Sequence, residues 1–129
     1  MSHKINVQLE LNDLNCSLLR LMSSYIMNTS DFSIDEMDEY KFLLHETLSY
    51  VKKNISSDKP VQITFILTED IIQTTILVET LSNENKHSLN QTNQLYQIAK
   101  HLLKDFAFDE SQDQKLIFTL KKEKRAFHG

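Results

Sequence analysis

The chain has 129 residues, 40% hydrophobic and 25% charged, a composition that fits one globular domain spanning residues 1–129 and argues against intrinsic disorder. Its net charge of −4 argues against nucleic-acid binding. The sole cysteine, Cys16, excludes an internal disulfide and a cysteine-based zinc site, and the sole glycine, Gly129, excludes a glycine-rich loop around a phosphate.

The first half of the chain predicts one strand followed by two helices. Apolar and polar residues alternate over residues 5–11, which is typical of a half-buried strand. Asn12-Asp13 then offers a helix cap, and apolar residues recur at helical spacing over residues 14–26. The segment Ser33-Ile-Asp-Glu36 has the pattern of a capping box and predicts a second helix to about residue 54.

The second half predicts two paired strands, a helix and two further strands. Residues 61–67 and 72–78 alternate around Glu69-Asp70, which is short enough for a hairpin turn. Apolar residues from Leu95 onward predict a third helix to about Lys104, and two short strands follow. The order β-α-α-β-β-α-β-β predicts a two-layer α/β (α+β) sandwich, with a mixed, mostly antiparallel sheet and helices on one face.

Motifs for chemistry are scarce. The five histidines share no metal-ligand spacing, and in the pair His45-Glu46, which resembles the start of a zinc-protease helix, the second ligand position holds Ser49. We therefore expect no metal site and no cofactor. The chain also starts without a signal-peptide pattern and holds no apolar run of about 20 residues, so we expect a cytoplasmic protein that does not span a membrane.

Glu46 stands apart on the second predicted helix. At about 100° per residue it lies roughly 150° from the centre of the apolar stripe, which Leu44 and Leu48 mark. Two interpretations fit this position: a solvent-facing glutamate, or a carboxylate that faces a site.

Residues 32–51 resemble the second helix of bacterial anti-sigma factors that are also serine protein kinases, in the histidine-kinase-type (GHKL) ATPase superfamily. The resemblance rests on the Phe32-Ser33 opening, the acidic first turn and Lys41, and it places Glu46 on the glutamate of the family motif, its catalytic base. It implies the histidine-kinase-like ATPase fold for the whole chain, in agreement with the predicted order of elements.

The departures from the family imply that the ATPase is lost. The family's magnesium-binding asparagine falls on Tyr50, which cannot ligate magnesium as an amide oxygen does. Residues 79–83 replace the adenine-binding Asp-x-Gly-x-Gly, and residues 88–93 replace the glycine-rich lid. The resemblance thus implies no enzyme, no catalytic residue and a vestigial Glu46. The vacated nucleotide pocket would be lined by Phe42, Glu46, Tyr50 and Thr80.

The leading hypothesis is a non-catalytic, anti-sigma-like regulator that binds a sigma factor or an anti-anti-sigma protein. The first helix is richer in apolar residues than one sheet-facing stripe requires, which indicates a partner or homodimer surface, although a thick core would also explain it. The candidate surface consists of Leu14, Leu18, Leu19, Met22 and Tyr25. The alternatives are an active serine kinase with a divergent ATP site, a small-molecule sensor that reuses the vacated cavity, and a domain that only self-associates.

Overall fold

A computed structural model of the chain describes residues 2–55, 57–81, 97, 99–100, 105–110 and 115–125. The elements are β1 (His3–Leu9), α1 (Asp13–Asn28), α2 (Ile34–Asn54), β2 (Val61–Leu67), β3 (Ile71–Glu79), β4 (Asp105–Glu110) and β5 (Lys115–Glu123). Most of the predicted third helix lies outside the described residues, although Gln97, Ala99 and Lys100 have helical backbone.

The strands form one sheet in the order β1-β2-β3-β5-β4. Every neighbouring pair among these described strands is antiparallel. The expectation of a mixed sheet is therefore wrong for this part of the chain. The consecutive strands β3 and β4 run in the same direction, but they do not pair, because β5 lies between them and is antiparallel to both. The hairpin at Glu69-Asp70 is confirmed, with Leu67 opposite Ile72.

One face of the sheet is buried and the other is partly exposed. Strands β2, β3 and β5 each bury alternate residues, as the period of two requires. The buried members join residues of α1 and α2 in a single apolar core. Both helices therefore lie on one face of the sheet, which confirms the two-layer arrangement. No helix within the described ranges is long and apolar enough to cross a membrane.

Helix α2 begins with the predicted capping box, which is confirmed. Ser33 Oγ accepts from the Glu36 amide at 3.1 Å, and the Glu36 carboxylate accepts from the Ser33 amide at 3.0 Å. The other Glu36 oxygen accepts from the Arg125 amide at 2.8 Å, which ties the chain after β5 to the start of α2. Burial alone would raise the pKa of Glu36, but these hydrogen bonds outweigh it and hold the pKa below its ordinary value.

Further along α2, Tyr40 connects the helix to the centre of the sheet. Its buried hydroxyl lies 2.5 Å from Thr74 Oγ1 on β3 and donates to the Leu120 carbonyl on β5 at 3.2 Å. Burial raises the pKa of Tyr40, so the hydroxyl stays protonated. This polar contact fixes where α2 sits above the strands, because a buried hydroxyl without a partner is costly.

The two helices are joined by a tight turn. Asp31 adopts a left-handed conformation with φ of 59°, and the Phe32 amide closes the turn on the Met27 carbonyl at 3.3 Å. Glycine usually fills such a position, and aspartate is among the few other residues that tolerate it. The chain therefore makes this turn with an aspartate.

Candidate functional site

Helix α1 has two apolar faces. The face that packs on the sheet and on α2 buries Cys16, Leu19, Ser23, Ile26 and Met27. The opposite face exposes four large apolar side chains: Leu14 (78% exposed), Leu18 (47%), Leu21 (67%) and Tyr25 (74%). We call these four residues the outer stripe of α1. At about 100° per residue, the centres of the two faces lie roughly 160° apart around the helix.

The outer stripe includes three of the five predicted surface residues. Leu14, Leu18 and Tyr25 are exposed as expected. Leu19 is fully buried in the core, and Met22 is half-buried and packs against that core, so neither belongs to the exposed surface. Sequence reasoning missed Leu21, because in a helix with two apolar faces the periodicity alone does not show which residues face the sheet.

The stripe residues follow a 4-3-4 spacing along the helix. Such spacing places side chains on a single seam, the pattern by which one α-helix packs against another. Residues beside the seam carry no charge; examples are Asn15, Ser17 and Ser24. The only charged residues of α1 are Asp13 and Arg20, and both lie towards α2.

Strand β1 lies at one edge of the sheet. It pairs with β2 on one side, and no strand in the described ranges pairs with its outer edge. Ile5 on this strand is also exposed. Of the eight exposed large apolar residues in the described chain, four thus belong to the outer stripe of α1; the others are Ile5, Ile34, Phe42 and Leu81.

The residues of the proposed vacated pocket lie apart from the outer stripe. Phe42, Glu46 and Tyr50 follow one another at intervals of four along α2. Phe42 is exposed, and Glu46 and Tyr50 are half-buried. Thr80 is half-buried directly after β3. The cleft predicted between Glu46 and residues 82–93 involves a segment outside the described residues.

Tyr50 packs against the sheet. Its ring meets that of Phe118 on β5 edge to face, with centroids 6.1 Å apart. Burial raises the pKa of the Tyr50 hydroxyl. The side chain at the position where the resemblance places a magnesium-binding asparagine therefore contributes to the packing between α2 and β5.

Glu79 stands where the resemblance places the acidic residue of the adenine-binding motif. Its carboxylate forms an ion pair with Lys59 at 2.8 Å. The hydrogen bond and the charge of Lys59 hold the pKa of Glu79 below its ordinary value. Glu79 shares its strand face with Leu77 and Thr75, the face that points away from the helices. It is therefore engaged on the side of the sheet opposite Glu46.

No cluster of three or more metal-ligating side chains occurs among the residues that the structure describes. No known protein family matches the sequence, and no curated protein matches it. The outer stripe of α1 is the feature of the described surface with the clearest functional geometry.

Proposed function

We propose that this chain is a non-catalytic regulatory domain that acts by protein–protein contact through the outer stripe of α1. The observation that carries the proposal is the exposure of four large apolar side chains at 4-3-4 spacing, opposite the buried face of the same helix. A partner that covers this surface would gain about 25 cal/mol of favourable binding free energy for each Å² of apolar surface removed from water. Extended exposed apolar patches of this kind typically mark interaction sites.

The occupant that fits the stripe is an amphipathic helix of another protein. Leu14 and Tyr25 are 11 residues apart, about 16 Å along the helix, so the stripe spans three turns. Packing at about 20° to a second helix would cover all four side chains. Both surfaces together would bury roughly 1,000 Å², the lower range for a specific interface. The uncharged residues beside the stripe favour a partner helix whose own flanks are uncharged.

The resemblance of residues 32–51 to anti-sigma serine kinases supports the choice of partner. In this proposal the chain is a cytoplasmic, degenerate member of the histidine-kinase-type ATPase superfamily, and its partner is a sigma factor or an anti-anti-sigma protein. Glu46 is then the vestige of a catalytic base. Transfer of a phosphoryl group depends on metal ions and positioned phosphates, which a lone carboxylate does not supply.

Two alternatives place function in the pocket of Phe42, Glu46, Tyr50 and Thr80: a serine kinase with a divergent ATP site, and a small-molecule sensor. Two observations favour the protein-binding function over these alternatives. Tyr50 packs against Phe118, and Glu79 pairs with Lys59, so both side chains already make contacts within the fold. Either alternative requires the protein to bind Mg-ATP or another ligand there.

Comparative affinity purification tests the proposal. The tagged protein, a Leu14→Ser/Leu21→Ser variant and an Ile34→Ser control are expressed in the source cell, and retained proteins are identified by mass spectrometry. Ile34 is 73% exposed but lies at the start of α2, outside the stripe. We expect the unmodified chain and the control to retain a sigma factor or its antagonist, and the stripe variant to lose it.

The identified protein is then purified and titrated against the three chains. Equal affinity for all three would contradict the role of the stripe, and retention of the chain's own copies alone would contradict the regulatory function. Mg-ATP binding by the purified protein, measured by calorimetry, would favour the kinase alternative.

A further inference from the structure

A second feature, separate from the outer stripe, is a polar groove between α1 and α2. It encloses about 410 Å³, within the range of small-molecule sites. Its walls come from about the first two turns of α1 and the second half of α2. The lining residues are Asp13, Cys16, Ser17, Arg20, His45, Ser49, Lys52 and Lys53.

The charge of this groove is opposite to that of the chain. Three basic side chains, Arg20, Lys52 and Lys53, line the groove together with one carboxylate, Asp13. Asp13 is already paired with Lys52 at 2.5 Å. Within the described ranges, the groove thus holds two basic side chains, Arg20 and Lys53, beyond the pair of Lys52 with Asp13, in a protein whose net charge is −4.

Arg20 and His45 carry the strongest indication of a ligand. A second cavity, of about 290 Å³, is lined by both residues together with Asp38, Lys41 and Phe42, so the pair lies where the two cavities meet. The Asp38 carboxylate there is paired with Lys41 at 3.7 Å. Arg20 Nε and His45 Nδ1 are both buried and find no hydrogen-bond partner among the described residues. One Nη of the Arg20 guanidinium donates a hydrogen bond to Ser17 Oγ at 3.0 Å. A buried polar nitrogen without a partner is unfavourable, so the fold leaves hydrogen-bonding capacity unused at this pair.

We propose that the groove between α1 and α2 binds a small oxyanion, a phosphate or carboxylate group, through Arg20 and His45. The planar guanidinium offers paired N–H donors that match the oxygens of either group. An imidazole supplies one N–H donor when neutral and two when protonated. Lys53 adds a flexible cation at the groove, and the Ser17 and Ser49 hydroxyls complete a polar lining.

Titrations of the full chain with inorganic phosphate and with acetate, followed by ¹⁵N–¹H NMR at constant ionic strength, test this proposal. We expect saturable amide shifts confined to α1 and to the second half of α2 for at least one of the two anions. Saturation by phosphate alone assigns a phosphate-bearing ligand, and saturation by acetate alone assigns a carboxylate. No saturable shift with either anion up to 50 mM would overturn the proposal.

Two variants that each remove one positive charge separate a site from general attraction. Arg20→Met removes the guanidinium from the groove, and Lys4→Met removes an exposed charge from β1. We expect Arg20→Met to weaken anion binding at least tenfold and Lys4→Met to leave it unchanged. Equal weakening by the two variants would show non-specific charge attraction and would contradict the site.

The melting temperature supplies an independent readout. Because Arg20→Met deletes a buried nitrogen that has no partner as well as the hydrogen bond to Ser17, the ligand-free variant should melt close to the temperature of the unmodified chain. Only the unmodified chain should gain stability from the bound anion. If Arg20→Met does not fold, Arg20→Lys, which keeps the charge but loses the fork, serves in its place with the same expected loss of affinity.

Discussion

Helices α1 and α2 lie on the same face of the sheet but differ in what they present to the outside. Helix α2 buries one stripe and turns mostly charged residues outward, such as Asp38 and Lys53. Helix α1 buries a comparable stripe and exposes a second apolar one. The sheet requires only one apolar face from each helix. The buried residues of both helices are therefore explained by packing on the sheet, whereas the apolar character of the outer stripe of α1 is not.

The largest expected difference is between two leucine truncations, one on each helix. Leu48→Ala on α2 should lower the free energy of unfolding by about 2–5 kcal/mol, because Leu48 is fully buried and the change leaves a cavity. Leu21→Ala on the outer stripe should change it by less than about 0.5 kcal/mol. Urea denaturation measures both. A loss above about 2 kcal/mol for Leu21→Ala would show that the chain itself covers the stripe.

A smaller effect is expected at the start of α2. Glu36→Gln should cost about 1–2 kcal/mol at neutral pH, because the buried carboxylate accepts hydrogen bonds from Ser33 and Arg125. The pKa of Glu36 is lowered in the folded state, so its contribution is complete above the unfolded-state pKa. It is lost as the pH falls through the folded-state pKa.

Denaturation of both forms between pH 7 and pH 2.5 checks this dependence. The difference in unfolding free energy between the chain and Glu36→Gln should shrink as the solution is acidified. A difference that stays constant over this range would contradict the role assigned to the ionised carboxylate.

Two tyrosine-to-phenylalanine variants, one on each helix, remove the same hydroxyl group from a buried and from an exposed position. Tyr40→Phe should destabilise the protein by about 1 kcal/mol, since it deprives Thr74 and the Leu120 carbonyl of a buried partner. Tyr25→Phe, on the exposed stripe, should be neutral within about 0.3 kcal/mol. Thermal denaturation of the two variants side by side is sufficient, and equal losses would contradict the distinction between the helices.

The smallest expected effect lies in the turn that joins the helices. Because Asp31 is left-handed, Asp31→Ala should be less stable than Asp31→Gly by about 0.5–1 kcal/mol. Chemical denaturation compares the two variants. Asp31→Ala as stable as Asp31→Gly would mean that the turn relaxes to an ordinary conformation.

The sequence predicted those features that depend on local pattern. The capping box at Ser33 and Glu36 and the alternation of β2 and β3 each need only a few neighbouring residues, and all are confirmed. The burial of Leu19 and the exposure of Leu21 were not predictable, because α1 is apolar on both sides. Which side faces the sheet is decided by tertiary packing.

The order of strands in the sheet, with β5 between β3 and β4, likewise depends on long-range pairing that periodicity does not encode. The groove at Arg20 and His45 is a further example. These residues are 25 positions apart and come together only when the two helices pack. No spacing rule for a motif connects them.

Site-specific photo-cross-linking detects whether the outer stripe contacts another protein inside the cell. A photoreactive amino acid is placed at position 21, on the outer stripe, or at position 34, and the source cells are irradiated. We expect a cross-link from position 21, and not from position 34, to a helix of a sigma factor or its antagonist. Equal capture at the two positions, or products that contain only this chain, would contradict it.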